Sequence, residues 1–326
     1  MQALIPGSKT IIKQFKIGST GLIITVSSQL LDAVRSNALY RIFILPVRRF
    51  VSYFKDSANN KERDKYHGDE INRNNQAIMS EGTPEQKAIM ERVSSTTEWY
   101  HSIDLGHGIV TPGYYDHRPD LHLYKLPENA AGKRVLDVAT YDGFWAFEFE
   151  KRGAAEVLAM DIETLNERDM PPGIRAQSSK ESLMKETGTG FHIASDILGS
   201  KVKRKILNVY DLSPEKVGTF DIVFCSDLLL HLMNPIRALQ NIRSVVSGYA
   251  YIVDIYGPEL GESDGGTIVD YLGAQKKLTW WRFSLGSLKQ MILDAGFSRV
   301  ELVNKFRFNI RETEMEFWHA VFKAYP

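Results

Sequence analysis

The segment RVLDVATYDGFWAFEF (134–149) constrains the fold of this chain more than any other stretch. An apolar run leads through a short turn into a second apolar run, so the sequence predicts a buried strand followed at once by a helix. The connecting turn keeps an acid, Asp137, and a single glycine, Gly143. A unit of this kind is typical of an open α/β sheet, whose ligand lies at the carboxyl ends of the strands.

Strand and helix patterns alternate over the rest of the chain from residue 131. The later predicted strands are EVLAMDI, KRKILNV, FDIVFCS, YAYIVDI, RVELVNKF and EFWHAVFKA. The last two follow one another without a helix between them, so we expect them to pair antiparallel at one edge of a mostly parallel sheet. The pattern therefore predicts an α/β, Rossmann-like, seven-stranded sheet of the methyltransferase type rather than a dehydrogenase sheet.

The first 82 residues differ from the remainder. The chain has no net charge, but residues 1–60 carry eight Lys or Arg and two Asp, a net charge of +6. Within residues 1–55, Leu30, Leu31, Val34, Ala38, Ile42 and Leu45 share one helical face, and Arg35, Arg41, Arg48 and Arg49 lie outside it. This pattern indicates either a helical subdomain that packs on the main body or a basic amphipathic surface for RNA or a peripheral membrane contact.

Residues 56–82 are polar and predict a linker. A helix is predicted to begin at TPEQ, where Thr83 is a good N-cap and Gln86 completes a capping box. We therefore expect a helical basic extension with a polar linker over residues 1–82 and a larger domain over residues 83–326.

Composition excludes several classes of protein. Neither GLIITV (21–26) nor IFILPV (42–47) approaches the roughly 20 apolar residues of a transmembrane helix. Cys225 is the only cysteine, so no internal disulfide forms, paired-cysteine zinc sites are excluded, and a reducing compartment is the simplest interpretation. The histidines show no metal-ligand spacing, so no metal is expected. The sequence predicts a cytoplasmic protein with no transmembrane segment.

The turn after the first strand argues against a dinucleotide. Where such a turn has glycines, this one has Ala139 and Tyr141, and only Gly143 remains. Asp137 would also place negative charge near a diphosphate. S-adenosyl-L-methionine (SAM) has no phosphate and carries an ammonium and a sulfonium, so a nearby carboxylate favours it.

Two later strands end in residues that fit the same cofactor. Asp161 ends the second strand, where an acid can accept hydrogen bonds from ribose hydroxyls. Asn208 ends the third strand, where its amide and the Val209 N–H can read an adenine edge. The predicted SAM-binding residues are Asp137, Ala139, Thr140, Tyr141, Gly143, Asp161, Asn208, Val209 and Ser226.

The chain resembles the SAM-dependent methyltransferases related to the bacterial tRNA wobble-uridine 5-oxyacetate (carboxy)methyltransferase. The resemblance rests on WYHSIDLGHGIVTPG (99–113), GKRVLDVATYDGFWAFEFEKRGA (132–154), VYDLSPEKVGTFDIVFCSDLLLHLMNP (209–235) and WWRFSLGSLKQMILDAGFSRVELV (280–303). It implies a class I SAM methyltransferase fold over roughly residues 84–326. The tRNA enzyme has tyrosine before the histidine where this chain has Leu230, and its lysine for a carboxylated donor has no counterpart near residues 99–101. Both departures favour ordinary SAM.

Methyl transfer needs a general base only when the acceptor must lose a proton. Candidates are His231, after the fourth strand, and His101, and Asp227 is placed to orient His231 or the SAM amino group. Each can instead be structural, and Asp227 can be a helix N-cap. Trp99, Tyr100, Trp280 and Trp281 are candidate substrate contacts, and the long loop within residues 257–280 is a candidate lid.

Three functions stay open at this point. The first is a methyltransferase acting on a hydroxyl, amine or similar nucleophile of a small molecule, such as a sugar, a lipid-linked compound or a secondary metabolite. The second is a tRNA-modifying enzyme whose basic N-terminal region touches phosphates. The third is a non-enzymatic scaffold, against which the retained Asp137 and Asp161 argue.

Overall fold

The computed structural model describes residues 2–4, 11–17, 22–27, 63–96, 99–261, 266–273, 278–310 and 316–326. The chain divides into two units, residues 1–56 and 57–326. The described part of the first unit is an antiparallel sheet of β1 (Gln2–Leu4), β2 (Ile11–Ile17) and β3 (Leu22–Ser27) in that order. The expected helical structure is therefore wrong for these segments, whose isoleucines favour strands. The apolar stripe from Leu30 to Leu45 lies outside the described residues.

A long helix, α1 (Arg63–Glu81), occupies most of the predicted linker. Ile71 and Ile78 are buried on one face although the helix is otherwise polar. On the same face the Asn75 side chain donates to the Val110 carbonyl at 2.8 Å. The linker prediction was wrong because this helix buries few apolar residues. Hydrogen bonds from asparagine side chains to backbone carbonyls add to its packing contacts.

The next helix, α2 (Pro84–Ser94), begins as the sequence predicts. The Thr83 hydroxyl accepts from the Gln86 N–H at 3.2 Å, and the Gln86 side chain accepts from the Thr83 N–H at 2.9 Å. Met90 and Val93 are its buried residues. The predicted capping box is confirmed.

The remaining strands form one sheet. They are β4 (Arg134–Val138), β5 (Glu156–Asp161), β6 (Lys203–Ile206), β7 (Phe220–Ser226), β8 (Val246–Tyr256), β9 (Val269–Tyr271), β10 (Trp281–Phe283), β11 (Arg299–Asn309) and β12 (Glu316–Tyr325). The order along the sheet is β11-β12-β8-β7-β4-β5-β6, and β10 pairs with both β8 and β9. β4 to β8 pair parallel, whereas β12 is antiparallel to β8 and β11. The predicted seven-stranded sheet with an antiparallel final pair is confirmed.

Helices cover both faces of this sheet. The longer ones are α3 (Phe144–Lys151), α4 (Thr189–Leu198), α5 (Pro235–Ser244) and α6 (Leu285–Asp294). Short helical turns lie at Leu121–Tyr124, Leu165–Glu167, Pro172–Arg175, Lys180–Leu183, Val209–Asp211, Pro214–Val217, Leu229–His231 and Pro258–Leu260. Among the described residues, no helix combines the length and the apolar character needed to cross a membrane.

Alternation along the central strands builds a core on each face of the sheet. On β7, Val223 and Cys225 join one cluster of buried side chains, and Ile222 and Phe224 join the other. The Phe224 ring lies 4.7 Å from Trp145 of α3 between ring centroids. Because both faces are covered, the polar residues that follow the strands collect at their carboxyl ends.

Candidate active site

The loop from Ala139 to Gly143 joins β4 to α3 through several left-handed residues. The φ angle is +61° at Ala139, +51° at Tyr141 and +92° at Gly143. For Ala139 and Tyr141 this conformation costs about 1–3 kcal/mol each. The Thr140 N–H donates to the Met160 carbonyl at 3.0 Å and helps to hold the turn. The backbone therefore keeps the shape of a glycine-rich turn although Ala139 and Tyr141 occupy two of its left-handed positions.

Gly143 is required by packing rather than by close approach of a ligand. A Cβ at this position would lie 2.6 Å from the Phe147 ring and 2.7 Å from the Phe191 ring. The space beside Gly143 is thus filled by the chain itself, and a SAM contact of Gly143 stays a prediction.

Asp137 is buried at the end of β4 and accepts a hydrogen bond from the Thr140 hydroxyl at 2.7 Å. Burial raises its pKa to about 7, against the opposing effects of the Thr140 hydroxyl and His101. Nearby Asp161 adds to the rise. A cation bound beside Asp137 would favour its ionised form.

Asp161 lies at the end of the neighbouring strand β5. Its carboxylate accepts from the Tyr141 N–H at 2.7 Å and from the Ile162 N–H at 2.8 Å. Burial raises its pKa in spite of these bonds. The bond to Tyr141 ties the end of β5 to the β4 loop, so the structure brings the two predicted acids to one rim.

The end of β6 lies next to this rim, because the Leu207 N–H donates to the Asp161 carbonyl at 2.8 Å. The Asn208 side-chain oxygen accepts from the Tyr210 N–H at 3.0 Å, and the Val209 carbonyl accepts from Asn241 Nδ2 at 3.0 Å. These bonds fix both residues beside Asp161. Their role at an adenine edge stays a prediction.

Asp142 is a buried loop residue that sequence reasoning missed. Its Oδ2 accepts from the N–H groups of Tyr100 at 2.9 Å and His101 at 2.8 Å, and its Oδ1 contacts His101 Nδ1. One carboxylate therefore holds the segment around Tyr100 against the β4 loop. The available signal was its position: Asp142 is an acidic residue in the short turn between the predicted strand and the predicted helix.

Two predicted site residues of this segment belong to the core. Trp99 is 1% exposed, and its indole N–H donates to the Val93 carbonyl at 2.9 Å. His101 is 5% exposed and stacks on Phe144, with ring centroids 5.3 Å apart. Both side chains thus make packing contacts within the chain, and their roles as substrate contact and general base stay predictions.

Three tyrosines form a wall beside the loop. The Tyr100 ring lies 4.5 Å from that of Tyr115 and 5.1 Å from that of Tyr141, between centroids. All three are partly exposed. Burial raises the pKa of Tyr100 and of Tyr115, and the charge of Asp227 adds to both shifts. This tyrosine wall (Tyr100, Tyr115 and Tyr141) thus extends toward the end of β7.

Asp227 follows β7 directly, with a left-handed φ of +51°. Its Oδ1 lies 2.9 Å from Nε2 of His319, an ion-pair distance without good hydrogen-bond alignment, and its other oxygen accepts from the Ser226 hydroxyl at 3.1 Å. Burial would raise the Asp227 pKa, but His319 and Ser226 outweigh it and lower the pKa. The Asp227 side chain is 14% exposed, and its lowered pKa favours the ionised carboxylate.

His319 was missed because it lies within the apolar strand β12. It is 1% exposed and stacks on Phe306, with ring centroids 5.4 Å apart. Its contact with Asp227 joins the antiparallel end of the sheet to the end of β7. A single imidazole in an otherwise apolar strand was the available signal.

His231 lies in the turn after β7 and is partly exposed. Its Nδ1 lies 2.7 Å from the Leu278 carbonyl. Since a carbonyl only accepts, Nδ1 carries the proton and Nε2 keeps its lone pair. Burial lowers the pKa of His231 and the charge of Arg168 adds to this effect, which the Leu278 hydrogen bond and Asp227 oppose without reversing it. His231 is therefore neutral at pH 7.

The predicted lid region contains ordered structure in its described part. β9 and β10 pair antiparallel, and Arg282 bridges Asp270 at 2.6 Å and Glu259 at 3.1 Å. Trp280 is buried, and its indole N–H donates to the Asp169 carbonyl at 2.6 Å. The Trp281 indole N–H donates to the Leu232 carbonyl at 2.8 Å. Both indole N–H groups are thus used within the chain, and substrate contact by either ring stays a prediction.

Comparison with known proteins gives matches of two kinds. A protein-family model described as a methyltransferase domain matches residues 114–302. A tRNA U34 carboxymethyltransferase of Campylobacter hominis is 28% identical over 113 residues, which cover 35% of this chain and 32% of that protein. The chain thus matches about a third of the length of this curated relative.

Solved structures share the fold. The N-terminal domain of EvdMO1, determined in the presence of SAH and D-fucose, matches with a TM-score of 0.50 and 18% identity over 74% of this chain and 97% of that one. The same domain with SAH bound matches with a TM-score of 0.50 and 19% identity over 74% and 96%. At this identity the likeness is one of fold.

We predict that Asp137 makes stability depend on pH. Its folded-state pKa of about 7 lies above the ordinary aspartate value of 3.8. Its stabilising contribution is therefore complete below about pH 4 and is lost as pH rises through 7. Relative to a non-titrating Asp137→Asn variant, the wild type should lose on the order of 4 kcal/mol of unfolding free energy between pH 4 and 8.

Urea unfolding across this pH range measures the effect. Asp196→Asn is the matched control, because the Asp196 side chain is 71% exposed. Parallel stability curves for the wild type and Asp137→Asn would contradict the prediction.

Proposed function

The chain belongs to the methyltransferase domain family, and from that premise we propose that it transfers a methyl group from SAM to a hydroxyl, amine or similar nucleophile of a small molecule. The protein is an enzyme, and SAM is its cofactor. The observation that carries the proposal is the pair of buried acids, Asp137 and Asp161, at the neighbouring ends of β4 and β5.

The chemistry of this rim fits SAM. Asp137 suits the methionine ammonium and Asp161 the ribose hydroxyls, whereas buried carboxylates would oppose a diphosphate. Because burial raises the pKa of Asp137 to about 7, a positive partner would shift Asp137 toward its ionised form at neutral pH. The ammonium of SAM supplies that partner.

Bound SAM supplies an electrophilic methyl group, and the task of the chain is to hold the acceptor in line and take up its proton. His231 fits the second task, since it is neutral and its Nε2 lone pair is available. Asp227 fits the first, because its contact with His319 keeps it ionised and fixed. Under this proposal, the aromatic rings of the tyrosine wall would help to exclude water from the reacting groups.

A tRNA wobble-uridine methyltransferase or carboxymethyltransferase is the second candidate. The match to the Campylobacter hominis enzyme favours it, and so does the net charge of +6 in residues 1–60. Leu230 opposes a carboxylated donor, because it replaces a tyrosine of that family and its side chain is buried in the core. We rank this candidate below a small-molecule acceptor.

We further propose that residues 83–326 are the catalytic domain and that residues 257–280 close over the substrate. The protein would act in the cytoplasm, as its lone Cys225 suggests. We also propose that residues 1–55 make a peripheral contact with an anionic membrane.

The cofactor site is tested by calorimetry with S-adenosylhomocysteine (SAH). Asp161→Ala should raise its dissociation constant about tenfold or more, the value of a charge-assisted hydrogen bond. Glu181→Ala, at an exposed position of the same inter-strand region, is the control and should bind like the wild type. If the wild-type protein takes up no SAH, the proposed function is wrong.

The general base is tested by transfer of a radiolabelled methyl group to an acceptor identified with the wild-type enzyme. His231→Asn should lower kcat by about 10²-fold or more and leave the SAH dissociation constant unchanged. The wild-type rate should rise with pH through a pKa below 6.5, the ordinary value for histidine, and then level off. Because His101 is buried, a His101→Asn variant that loses the same pH dependence would refute the choice of His231.

The tRNA alternative predicts a steep salt dependence. A tRNA substrate should bind at low salt, and log affinity should fall linearly with log salt in proportion to the phosphates neutralised. Filter binding between about 50 and 200 mM salt measures this. If SAH binds well and tRNA shows no affinity even at the lowest salt, the alternative fails and the small-molecule proposal stands.

A further inference from the structure

Arg168 lies beyond the end of β5 and is partly exposed. The carbon atom of its guanidinium lies 5.7 Å from the centroid of the Tyr141 ring. Tyr141 belongs to the tyrosine wall, so this cation stands at the mouth of the proposed SAM site. It comes from the segment between β5 and α4, which sequence reasoning left unassigned.

Several other partly buried arginines of this unit have carboxylate partners, and Arg175, Arg204 and Arg243 donate to backbone carbonyls instead. Arg134 bonds to Glu156 at 2.9 Å, Arg152 to Glu148 at 2.6 Å and Arg282 to Asp270 at 2.6 Å. Among the described residues, Arg168 has no carboxylate within ion-pair distance, and its guanidinium contacts an aromatic ring instead. Its donors are therefore available to a ligand.

The backbone around Arg168 is held firmly. The Arg168 carbonyl accepts from the Arg175 guanidinium at 2.8 Å. The next residue, Asp169, accepts from the Tyr210 hydroxyl at 2.5 Å and the Met233 N–H at 2.6 Å, and its carbonyl accepts from the Trp280 indole at 2.6 Å. Bonds from three other parts of the chain thus fix the position from which Arg168 projects, as expected of a preorganised binding residue.

The charge of Arg168 acts on three residues of the candidate site. It lowers the pKa of His231, and it opposes the burial-driven rise in the pKa of Asp161 and of Tyr100. The guanidinium is therefore within electrostatic reach of both the cofactor acid Asp161 and the proposed base His231. It adds a positive charge to a mouth whose other functional groups are carboxylates, tyrosines and a neutral histidine.

We propose that Arg168 binds an anionic group of the acceptor, a carboxylate or a phosphate, in front of the tyrosine wall. The inference rests on the proposed function and names its substrate class: a small molecule that carries a negative group beside its methylatable hydroxyl or amine. The planar guanidinium fork suits either anion, since it can donate two parallel hydrogen bonds. The aromatic face of Tyr141 holds the guanidinium plane from behind.

The test uses the full-length protein saturated with SAH and compares probes that differ in charge. Glucuronate supplies a carboxylate, glucose 6-phosphate supplies a phosphate, and glucose is the neutral reference. Calorimetry measures each dissociation constant in the wild type, Arg168→Gln and Arg168→Lys. Arg237→Gln is the matched control, because its guanidinium lies over Tyr210 at the same 5.7 Å.

We expect at least one anionic probe to bind the wild type tenfold or more tightly than glucose. Arg168→Gln should remove that preference and leave the SAH dissociation constant within about twofold, whereas Arg168→Lys should retain part of it and Arg237→Gln all of it. The anionic probe with the lower dissociation constant shows whether Arg168 prefers a carboxylate or a phosphate.

Three results would overturn the inference while the proposed function survives. In the first, SAH binds but neither anion binds better than glucose. In the second, Arg168→Gln keeps the full preference for the anion. In the third, Arg168→Gln weakens SAH itself more than tenfold, which would assign Arg168 to the carboxylate of the cofactor. Failure of the wild type to bind SAH would instead refute the proposed function and this inference with it.

Discussion

One buried carboxylate, that of Asp142, links the parts of this crevice. It accepts hydrogen bonds from the backbone N–H groups of Tyr100 and His101 and also contacts the His101 ring. The loop from Ala139 to Gly143 therefore also fixes the position of Tyr100 in the tyrosine wall. Each buried N–H left without that partner would cost about 1–3 kcal/mol, so the loop and the segment around Tyr100 stay in register. Catalysis by positioning depends on such a coupling.

Carboxylates at the strand ends differ in what balances their charge. Asp227 lies beside His319 and has a lowered pKa. Its neighbour Asp254 has a pKa well above the ordinary value, because burial raises it and the charge of Asp227 raises it further. Asp254 accepts from the Leu229 N–H at 2.8 Å and is structural. Asp137 accepts from the neutral Thr140 hydroxyl, and a cation bound beside it would favour its ionised form. The partners of each carboxylate and the direction of its pKa shift thus distinguish acids that suit a ligand from acids that serve the fold.

The fold was predictable because its strands carry strong alternating or continuous apolar patterns, and the acids Asp137 and Asp161 follow them directly. The helix at 63–81 was not, since it buries few apolar residues and relies on asparagine bonds that no periodicity reveals. Asp142 and His319 act through contacts between segments distant in sequence. The bond of the Trp99 indole N–H to the Val93 carbonyl could not be predicted, because a sequence does not distinguish an indole bonded to backbone from one that contacts a ligand.

The tyrosine wall also bears on the rate of methyl transfer, which nearby carboxylates would affect. A carboxylate next to a sulfonium stabilises the charged donor more than the transition state, in which that charge is being lost, so it would slow methyl transfer. Under the proposed function, Asp137 and Asp161 at the ends of β4 and β5 would lie beside the ammonium and ribose of SAM. The rings of Tyr100 and Tyr141, whose centroids are 5.1 Å apart, would stand at the mouth. Aromatic faces attract a cation more weakly than a carboxylate does and exclude water. On this proposal, the carboxylates of Asp137 and Asp161 would serve binding of the cofactor, and aromatic rings rather than these two carboxylates would stand near the reacting carbon.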